Sequence, residues 1–434
     1  MTPGSVSLAY VRSAAVVTMA LFTAGHAAVG LPLFLGANAW RLVTCGRVLW
    51  RSTPLDLPLA AFGLVLVLST AASAYRKIAI DATFVTLLSG VVFFGTFAWL
   101  LHQAPTARIA LLRAWALGGP PAAVIGVIAG LMSPDRRAYF PQAPMGPDGF
   151  ATTIFLSSLV ALGLAHRARE QERWLWLGCS LVTLGGLLAT ESRSALAGWV
   201  AGAAYLTWRG LRDRPRRLGR WWLASGLVVV ALVGAVALPD LGQRVGHALR
   251  DLGADRMQIW RISAGMVEAH PVLGTGPGTF ETVYNRLKPA GWERKWSAHN
   301  LWLNFAAETG LLGLLTILWV VLVAVRGWVR AGRTLPLGGD PIRPIVTGVL
   351  IGLFVDQWGD NTLLSVSTMS GFLLLLAVMV MPPPAVPAPE AARNAGAREG
   401  GTRGQAPLER PMPVGAARAP RGGQAGRSRE EGSS

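Results

Sequence analysis

Residues 297–313 read SAHNLWLNFAAETGLLG, and they mark the point where a long polar stretch gives way to an apolar run. The stretch holds one histidine, His299, and one carboxylate, Glu308, at the edge of a segment that can enter hydrocarbon. Ionisable groups at membrane depth are rare because burying them is costly. The boundary therefore predicts a functional site at a membrane surface, beside an anionic ligand.

The composition of the chain indicates a membrane protein. The 434 residues are 52% hydrophobic and only 15% charged, whereas soluble domains carry about 25% charged residues. Residues 174–190, 221–239 and 361–381 contain no charged residue, and each is close to the roughly 20 residues that cross a hydrocarbon core. The sequence thus predicts an all-α polytopic integral membrane protein. Its first apolar block is interpreted as a retained helix and not as a cleaved signal peptide.

The length rule gives about 12 transmembrane helices and one long hydrophilic connection, residues 240–298, which contains short helices. A second region, residues 382–434, is rich in Pro, Gly, Ala and Arg and is predicted to be a disordered cytoplasmic tail. Residues 1–381 form the transmembrane domain. The predicted spans are 11–29, 31–49, 55–74, 78–101, 108–132, 150–166, 174–190, 194–209, 221–239, 300–325, 343–359 and 362–381.

The arginines predict the orientation. Basic short loops mark the cytoplasmic side, and three connections, at 166–173, 209–220 and 326–333, are rich in arginine. Both termini then lie inside, while residues 133–149, 191–194 and 240–298 lie outside. Arg76 and Lys77 fall on the outer side, against the rule. Because membrane topology explains the basic excess, the net charge of +17 does not indicate a nucleic-acid partner; tail arginines are either solvated or in contact with anionic membrane lipids.

The outer loop carries one predicted helix and one predicted turn. Residues 254–268 have an apolar stripe and end before Pro271. Arg256 shares a face with Trp260, four residues on, whereas Arg261 lies on another face. Residues 273–280 read LGTGPGTF and require a turn with close backbone approach. A backbone nest that binds phosphate is the alternative interpretation of the turn.

Two polar residues at span ends have competing interpretations. Arg193 lies in a four-residue connection, where its planar fork suits phosphate oxygens; the alternatives are an ion pair with Glu191 or contact with lipid headgroups. His299 is either a packed histidine or a base. Glu308 is nine residues further along, about 13–14 Å on a helix axis, so the two cannot act on one atom, and Glu308 is expected to be structural.

These residues resemble a known family. His299, Asn300, nine residues, Gly310, two leucines and Gly313 are similar to a pattern of the bacterial O-antigen ligases. The resemblance to the O-antigen ligase/polymerase superfamily extends over about residues 54–381. It includes the Ser-Arg turn at Arg193 and the segment from Arg256 to the glycine turn.

The resemblance implies a GT-C-like membrane glycosyltransferase of the bacterial inner membrane with a periplasmic active site. It implies transfer of a glycan from undecaprenyl pyrophosphate to a sugar hydroxyl of lipid A–core, with inversion, without a metal and without a cofactor. By motif, His299 corresponds to the family's essential histidine, and Arg193 and Arg256 to its essential arginines. Arg261 is a lesser candidate for the donor. Asn300, Glu308, Gly310 and Gly313 are supporting residues.

The chemistry of these residue types agrees with that function. Guanidinium groups stabilise the charge that develops on a leaving pyrophosphate, and the ordinary pKa of histidine suits a general base near neutral pH. The outer loop offers no paired carboxylates in a metal-ligand context. Three alternatives stay open: a polymerase of the same superfamily, a protein O-oligosaccharyltransferase, and a transporter, which would place ionisable groups near the midplane.

Overall fold

A computed structural model of the chain describes residues 3–23, 27–45, 51–133, 137–139, 146–213, 256–334 and 340–381. The described ranges are mainly helical, as predicted. The ninth predicted span (221–239), the first part of the outer loop and the tail (382–434) lie outside the described residues. The helices are α1 (Pro3–Thr23), α2 (Ala27–Cys45), α3 (Asp56–Ala72), α4 (Arg76–Ser89), a π-helical turn (Gly90–Phe94), α5 (Gly95–Gln103), α6 (Ala107–Leu131), α7 (Gly146–Arg167), α8 (Glu170–Thr190), α9 (Arg193–Asp213), α10 (256–269), α11 (Phe280–Leu287), α12 (Leu301–Thr334), α13 (Arg343–Asp356), a 3₁₀ turn (Thr362–Leu364) and α14 (Val366–Val380).

Several of the helices can cross a membrane. Among the described residues, five are long and apolar enough by length and composition, and four shorter apolar helices accompany them. A polytopic membrane protein is therefore confirmed, while the count of twelve spans stays a prediction. The five are Arg76–Gln103, Ala107–Leu131, Gly146–Arg167, Glu170–Thr190 and Leu301–Arg333.

Helix α7 forms the centre of the bundle. Its residues are buried along nearly the whole length of the helix, which is the pattern of a helix that is apolar on every side. Small residues allow its neighbours to approach: a Cβ at Gly119 of α6 would lie 2.1 Å from Ser157 Oγ of α7. Close approach through small residues is the usual basis of helix packing in membranes.

The crossing of α9 and α13 positions the candidate site. A Cβ at Gly198 would lie 2.5 Å from the carbonyl oxygen of Gly352, and one at Gly202 would lie 2.6 Å from that of Gly348. The two glycine pairs, each four residues apart, therefore pack backbone against backbone in antiparallel order. This arrangement brings the first turn of α9, which carries Arg193, to the end of α13.

Helix α12 is broken at Gly310. The residue has φ 68° and ψ −176° inside an otherwise helical run, a conformation that only glycine adopts at low cost. A Cβ there would lie 2.2 Å from the carbonyl oxygen of Val272. The sequence predicted a span over 300–325, and the structure has a candidate membrane span at Leu301–Arg333. The break within this helix, which the glycine turn of the outer loop enters, was not predicted.

The glycine turn takes over the hydrogen bonds that the break leaves open. The backbone N–H groups of Thr275 and Gly276 donate to the carbonyl oxygens of Ala307 and Glu308, at 3.0 and 2.8 Å, and Leu311 N donates to Pro271 O at 2.8 Å. Helix ends need such partners for their orphan groups. Because these N–H groups are already used, the structure supports the turn interpretation of 273–280 over a phosphate-binding nest.

The C-terminal end of α3 binds the same turn. Ser69 Oγ donates to Leu273 O at 2.6 Å, and Ser73 Oγ donates to Thr275 O at 2.7 Å. Arg76, at the start of α4, therefore lies on the same side as the described part of the outer loop. This position of Arg76 agrees with the predicted order of the spans. Its positive charge, however, is opposite to the rule that basic short loops lie on the cytoplasmic side.

Candidate active site

An open polar cavity of about 280 Å³ lies at the end of the bundle where α9 begins and α13 ends. The structure brings Arg193, Arg256 and His299 together in its wall, although they come from three separate segments. We call it the polar cavity. Its lining residues are Arg137, Asp148, Glu191, Ser192, Arg193, Ser194, Arg256, Ile259, Lys295, His299 and Asp360.

Arg193 is the first residue of α9, and its side chain is exposed. Glu191 ends α8 with φ 59°, so the chain reverses within the turn that the sequence predicted. The N-terminal end of a helix carries partial positive charge and open N–H groups. The turn thus presents a guanidinium and a helix N-terminus to the same cavity. Within the described part of the chain, the Arg193 guanidinium forms no ion pair, which removes Glu191 as its partner.

Arg256 reaches the cavity from α10, the helix that the sequence predicted over 254–268. The residue is half-buried, and a Cβ at Gly359 would lie 3.4 Å from Arg256 Nη1 and 2.8 Å from Ser194 Cβ. Arg256 and the start of α9 therefore flank the same short turn. Arg261 is exposed on another face of α10 and does not line the cavity, so the face assignment for these two arginines is confirmed.

His299 has a left-handed backbone with φ 48°. Such a conformation is uncommon for a residue other than glycine and persists only where its surroundings hold it. Trp260 Nε1 donates to Ala298 O at 3.1 Å, and Ala298 N donates to Asn304 Oδ1 at 3.1 Å. The backbone on the N-terminal side of His299 is thus fixed by α10 and by α12.

Asn300 fixes the C-terminal side. Its Oδ1 accepts from Leu303 N at 3.0 Å, which caps the start of α12, and its Nδ2 donates to Trp358 O at 3.3 Å. Leu301 N also donates to Gln357 O at 3.0 Å. The turn after α13 is therefore tied to the histidine segment, which explains why asparagine follows the histidine.

Asp360 is the functional candidate that the sequence reasoning missed. Its Oδ1 lies 3.5 Å from His299 Nδ1, and its side chain is only 6% exposed. The charged residues that flank the span 343–359 gave the only signal, and they lie far from the histidine in sequence. A carboxylate at this position can orient the imidazole and hold the proton on Nδ1.

A second carboxylate lies beside the first. Asp148, from the start of α7, pairs with Arg137 Nη2 at 3.5 Å. Ligand atoms of Asp148, His299 and Asp360 all lie within 4.8 Å of one another, a donor set that a divalent cation can use. Both carboxylates lie outside the long loop 240–298, to which the prediction about paired carboxylates was limited, so neither was predicted. Metal independence stays a prediction.

Lys295 adds a further cation to the cavity wall. Its Nζ donates to Glu293 Oε2 at 2.8 Å, and this hydrogen bond lowers the pKa of Glu293 below its ordinary value. Glu293 is exposed, so solvent screens its ion pair with Lys295.

The other residues of the motif lie outside the polar cavity. Glu308 is 7% exposed, and its Oε1 accepts from Phe280 N at 2.9 Å at the start of α11. Gly310 forms the helix break, and a Cβ at Gly313 would lie 1.9 Å from Thr309 Oγ1. Glu308 thus has the structural position that its distance from His299 predicted.

Fold and cavity together define a polytopic helical membrane protein with a cation-rich site at one end of its helices. Residues 178–318, about a third of the chain, match the O-antigen ligase family. The resemblance to the O-antigen ligase superfamily is confirmed by this match, which includes Arg193, Arg256 and His299 but not Asp148 or Asp360. Among curated proteins, no significant match was found.

Proposed function

We propose that this chain is an O-antigen ligase that transfers a glycan from undecaprenyl pyrophosphate to a sugar hydroxyl of lipid A–core at the periplasmic face of the inner membrane. The observation that carries the proposal is the convergence of Arg193, Arg256 and His299 in one polar cavity. A family match over residues 178–318 supports the same reaction class. Both termini are then cytoplasmic.

The pyrophosphate of the donor binds between Arg193 and Arg256. Two guanidinium groups that are not ion-paired with other described residues, together with the N-terminus of α9, offer charge-assisted hydrogen bonds to phosphate oxygens. Negative charge on the pyrophosphate grows as its bond to the sugar breaks. Donors that are already oriented stabilise this charge without reorganisation.

His299 takes the proton from the acceptor. The acceptor oxygen attacks the anomeric carbon of the first donor sugar from the side opposite the pyrophosphate, which inverts that carbon. As the new carbon–oxygen bond forms, the old one breaks and its electron pair leaves with the pyrophosphate. The hydroxyl proton moves to Nε2 of His299, while Nδ1 faces Asp360 at 3.5 Å. Asp360 keeps the ring in this orientation and stabilises the imidazolium.

Transfer by the purified full chain in proteoliposomes tests the proposal. The assay supplies glycan-linked undecaprenyl pyrophosphate and lipid A–core, and it follows the mass increase of the acceptor. The proposal expects the wild-type chain to form this product and the His299→Asn chain to lose it. Absence of transfer by a folded wild-type chain would refute it.

A strain that lacks the gene separates the ligase from the polymerase. Polymer that accumulates without attachment to lipid A–core supports the ligase. Single repeats attached to lipid A–core would show that the chain is the polymerase of the superfamily.

A further inference from the structure

Three aromatic side chains contact one another beside the histidine segment. Trp302, in the first turn of α12, packs against Phe354 of α13 with ring centroids 5.8 Å apart, and Phe354 contacts Trp358 with centroids 6.3 Å apart. Phe354 and Trp358 are each more than half exposed. We call these three residues the aromatic platform. Exposed rings at the end of a span commonly anchor a helix at the membrane surface, but their surroundings distinguish these rings from a simple anchor.

The aromatic platform is tied to the proposed base. Asn300, the residue after His299, donates from Nδ2 to Trp358 O at 3.3 Å. Asp360 follows Trp358 in the same turn, and its Oδ1 lies 3.5 Å from His299 Nδ1. Trp302 follows the histidine in the next segment of the chain. A molecule that rests on the platform is therefore next to the imidazole.

The aromatic platform faces away from the arginine of α9. Gly348 and Gly352 of α13 pack against α9, the helix that begins with Arg193. Phe354 follows Gly352 by two positions, a rotation of about 200° around a helix axis, so the ring lies on the opposite face of α13. In an inverting transfer, the acceptor oxygen attacks from the side opposite the leaving pyrophosphate. The platform therefore lies on the side of the site that suits the acceptor.

Trp302 indicates the chemistry of the occupant. Within the described ranges, its Nε1 is buried and has no hydrogen-bond partner. A buried N–H without a partner is costly, and an occupant that brings an acceptor oxygen removes this cost. Because Phe354 is exposed, its ring can turn aside and admit a hydroxyl. A sugar brings both hydroxyl oxygens and an apolar ring face, whereas an acyl chain brings no acceptor, so the platform favours a saccharide.

We infer that the aromatic platform binds the sugar ring of the acceptor that carries the reacting hydroxyl. The inference rests on the proposed function and adds the site that recognises the acceptor. The apolar face of the sugar packs on Trp358 and Phe354, and one of its hydroxyl oxygens accepts from Trp302 Nε1. Ligand sites commonly combine such aromatic walls with a few polar groups that fix the orientation. The reacting hydroxyl then points past Asn300 to His299.

Two substitutions with a matched control test the platform. Trp358→Ala removes a ring face, and Trp302→Phe keeps a ring but removes the N–H. In proteoliposomes, each is expected to raise the KM for lipid A–core by about threefold to tenfold and to leave the KM for the glycan donor unchanged. Trp319→Ala is the control, because this exposed tryptophan lies about 25 Å of helix further along α12. An equal rise in the control would show a general role in membrane anchoring and overturn the inference.

Photo-crosslinking gives a second readout that needs neither a variant nor turnover. The probe is lipid A–core with a diazirine on a core sugar, added without donor to the wild-type full chain in nanodiscs. Adducts are expected on Trp302, Phe354 or Trp358, and an excess of delipidated core oligosaccharide should remove them. Adducts that phospholipid removes and the oligosaccharide does not would assign the platform to lipid tails and overturn the inference.

The outcomes separate this inference from the proposed function. Transfer by the wild-type chain with adducts outside the platform, and with a normal KM for the acceptor in both variants, means that only the acceptor site is wrong. Adducts on the platform of a folded chain that transfers no glycan mean that the saccharide site stands and the proposed reaction is wrong. A folded chain that shows neither refutes both. Thermal unfolding of the variants beside Trp319→Ala identifies misfolding, in which case the adducts on the wild-type chain decide.

Discussion

The two ends of the stretch 297–313 have different roles, although they belong to one motif. At the first end, the partly exposed imidazole of His299 lines the polar cavity, and two guanidinium groups line the same cavity. At the other end, Gly310 has no side chain, and the backbone of the outer loop occupies that space. The first end thus supplies a reacting group, whereas the second end holds the loop that carries Arg256.

The largest effect is expected for His299→Asn. Asparagine tolerates a left-handed backbone, so the variant keeps the chain path and removes the base. We expect transfer to fall by about 10²–10⁴-fold with unchanged thermal stability, measured as acceptor modification in proteoliposomes. His270→Asn, at an exposed residue outside the cavity, is the control. Wild-type rates in the His299 variant would remove the base from the mechanism.

The next effect is expected for the two cavity arginines. Arg193→Gln and Arg256→Gln each remove a donor to the leaving pyrophosphate, and kcat/KM should fall by about 10²–10³-fold. Arg261→Gln is the matched control, because Arg261 is exposed on another face of the same helix as Arg256. An equal loss in all three variants would show that the polar cavity does not define the donor site.

At the other end of the motif, Gly310→Ala should lower stability and not chemistry. The Cβ would lie 2.2 Å from Val272 O in a backbone with φ 68°, so we expect a loss of roughly 2–4 kcal/mol. Gly327→Ala in the same helix meets open space and should gain about 0.5–1 kcal/mol. Thermal unfolding in detergent measures both. Equal stability of the two variants contradicts the role of the break.

A smaller effect is expected for Asp360→Asn. The amide keeps the shape of the side chain and removes the charge that faces His299 Nδ1 at 3.5 Å. A base that is less well oriented should reduce kcat by about 10–100-fold and leave the KM for the donor unchanged. Asp360 acts through the histidine, so the variant should add little to His299→Asn. Additive losses in the double variant would assign Asp360 an independent role.

The smallest effect is expected for chelation. Asp148 and Asp360 already face Arg137 and His299, and guanidinium groups neutralise the pyrophosphate in the proposed mechanism. EDTA should therefore leave the transfer rate unchanged. A rate that falls with EDTA and returns with a divalent cation would assign a metal to Asp148, His299 and Asp360.

The sequence could predict much of the fold, because hydrocarbon imposes simple rules. The charge-free run at 174–190 lies within the candidate span Glu170–Thr190, and the apolar stripe before Pro271 predicted α10. The break in α12 was missed because Gly310 lies within an apolar run, and periodicity does not show whether backbone bonds come from inside a helix or from elsewhere. The glycine pairs at 198 and 202 and at 348 and 352 were a usable signal for close helix approach.

The candidate site was only partly predictable. Arg193, Arg256 and His299 were found because a motif and a short connection made them conspicuous. Asp360 and Asp148 were not found, since their closeness to His299 depends on how α13 and α7 pack and not on sequence spacing. A search of every outer connection for carboxylates, beyond the long loop, would have found both.

The assignment of the donor site is tested by a structure of the full chain with undecaprenyl pyrophosphate bound. We expect the two phosphates between Arg193 and Arg256 in the polar cavity, with an open path from the sugar end to His299 Nε2. Phosphates bound elsewhere, in a chain that transfers glycan and loses activity on His299→Asn, would contradict the assignment of the donor site.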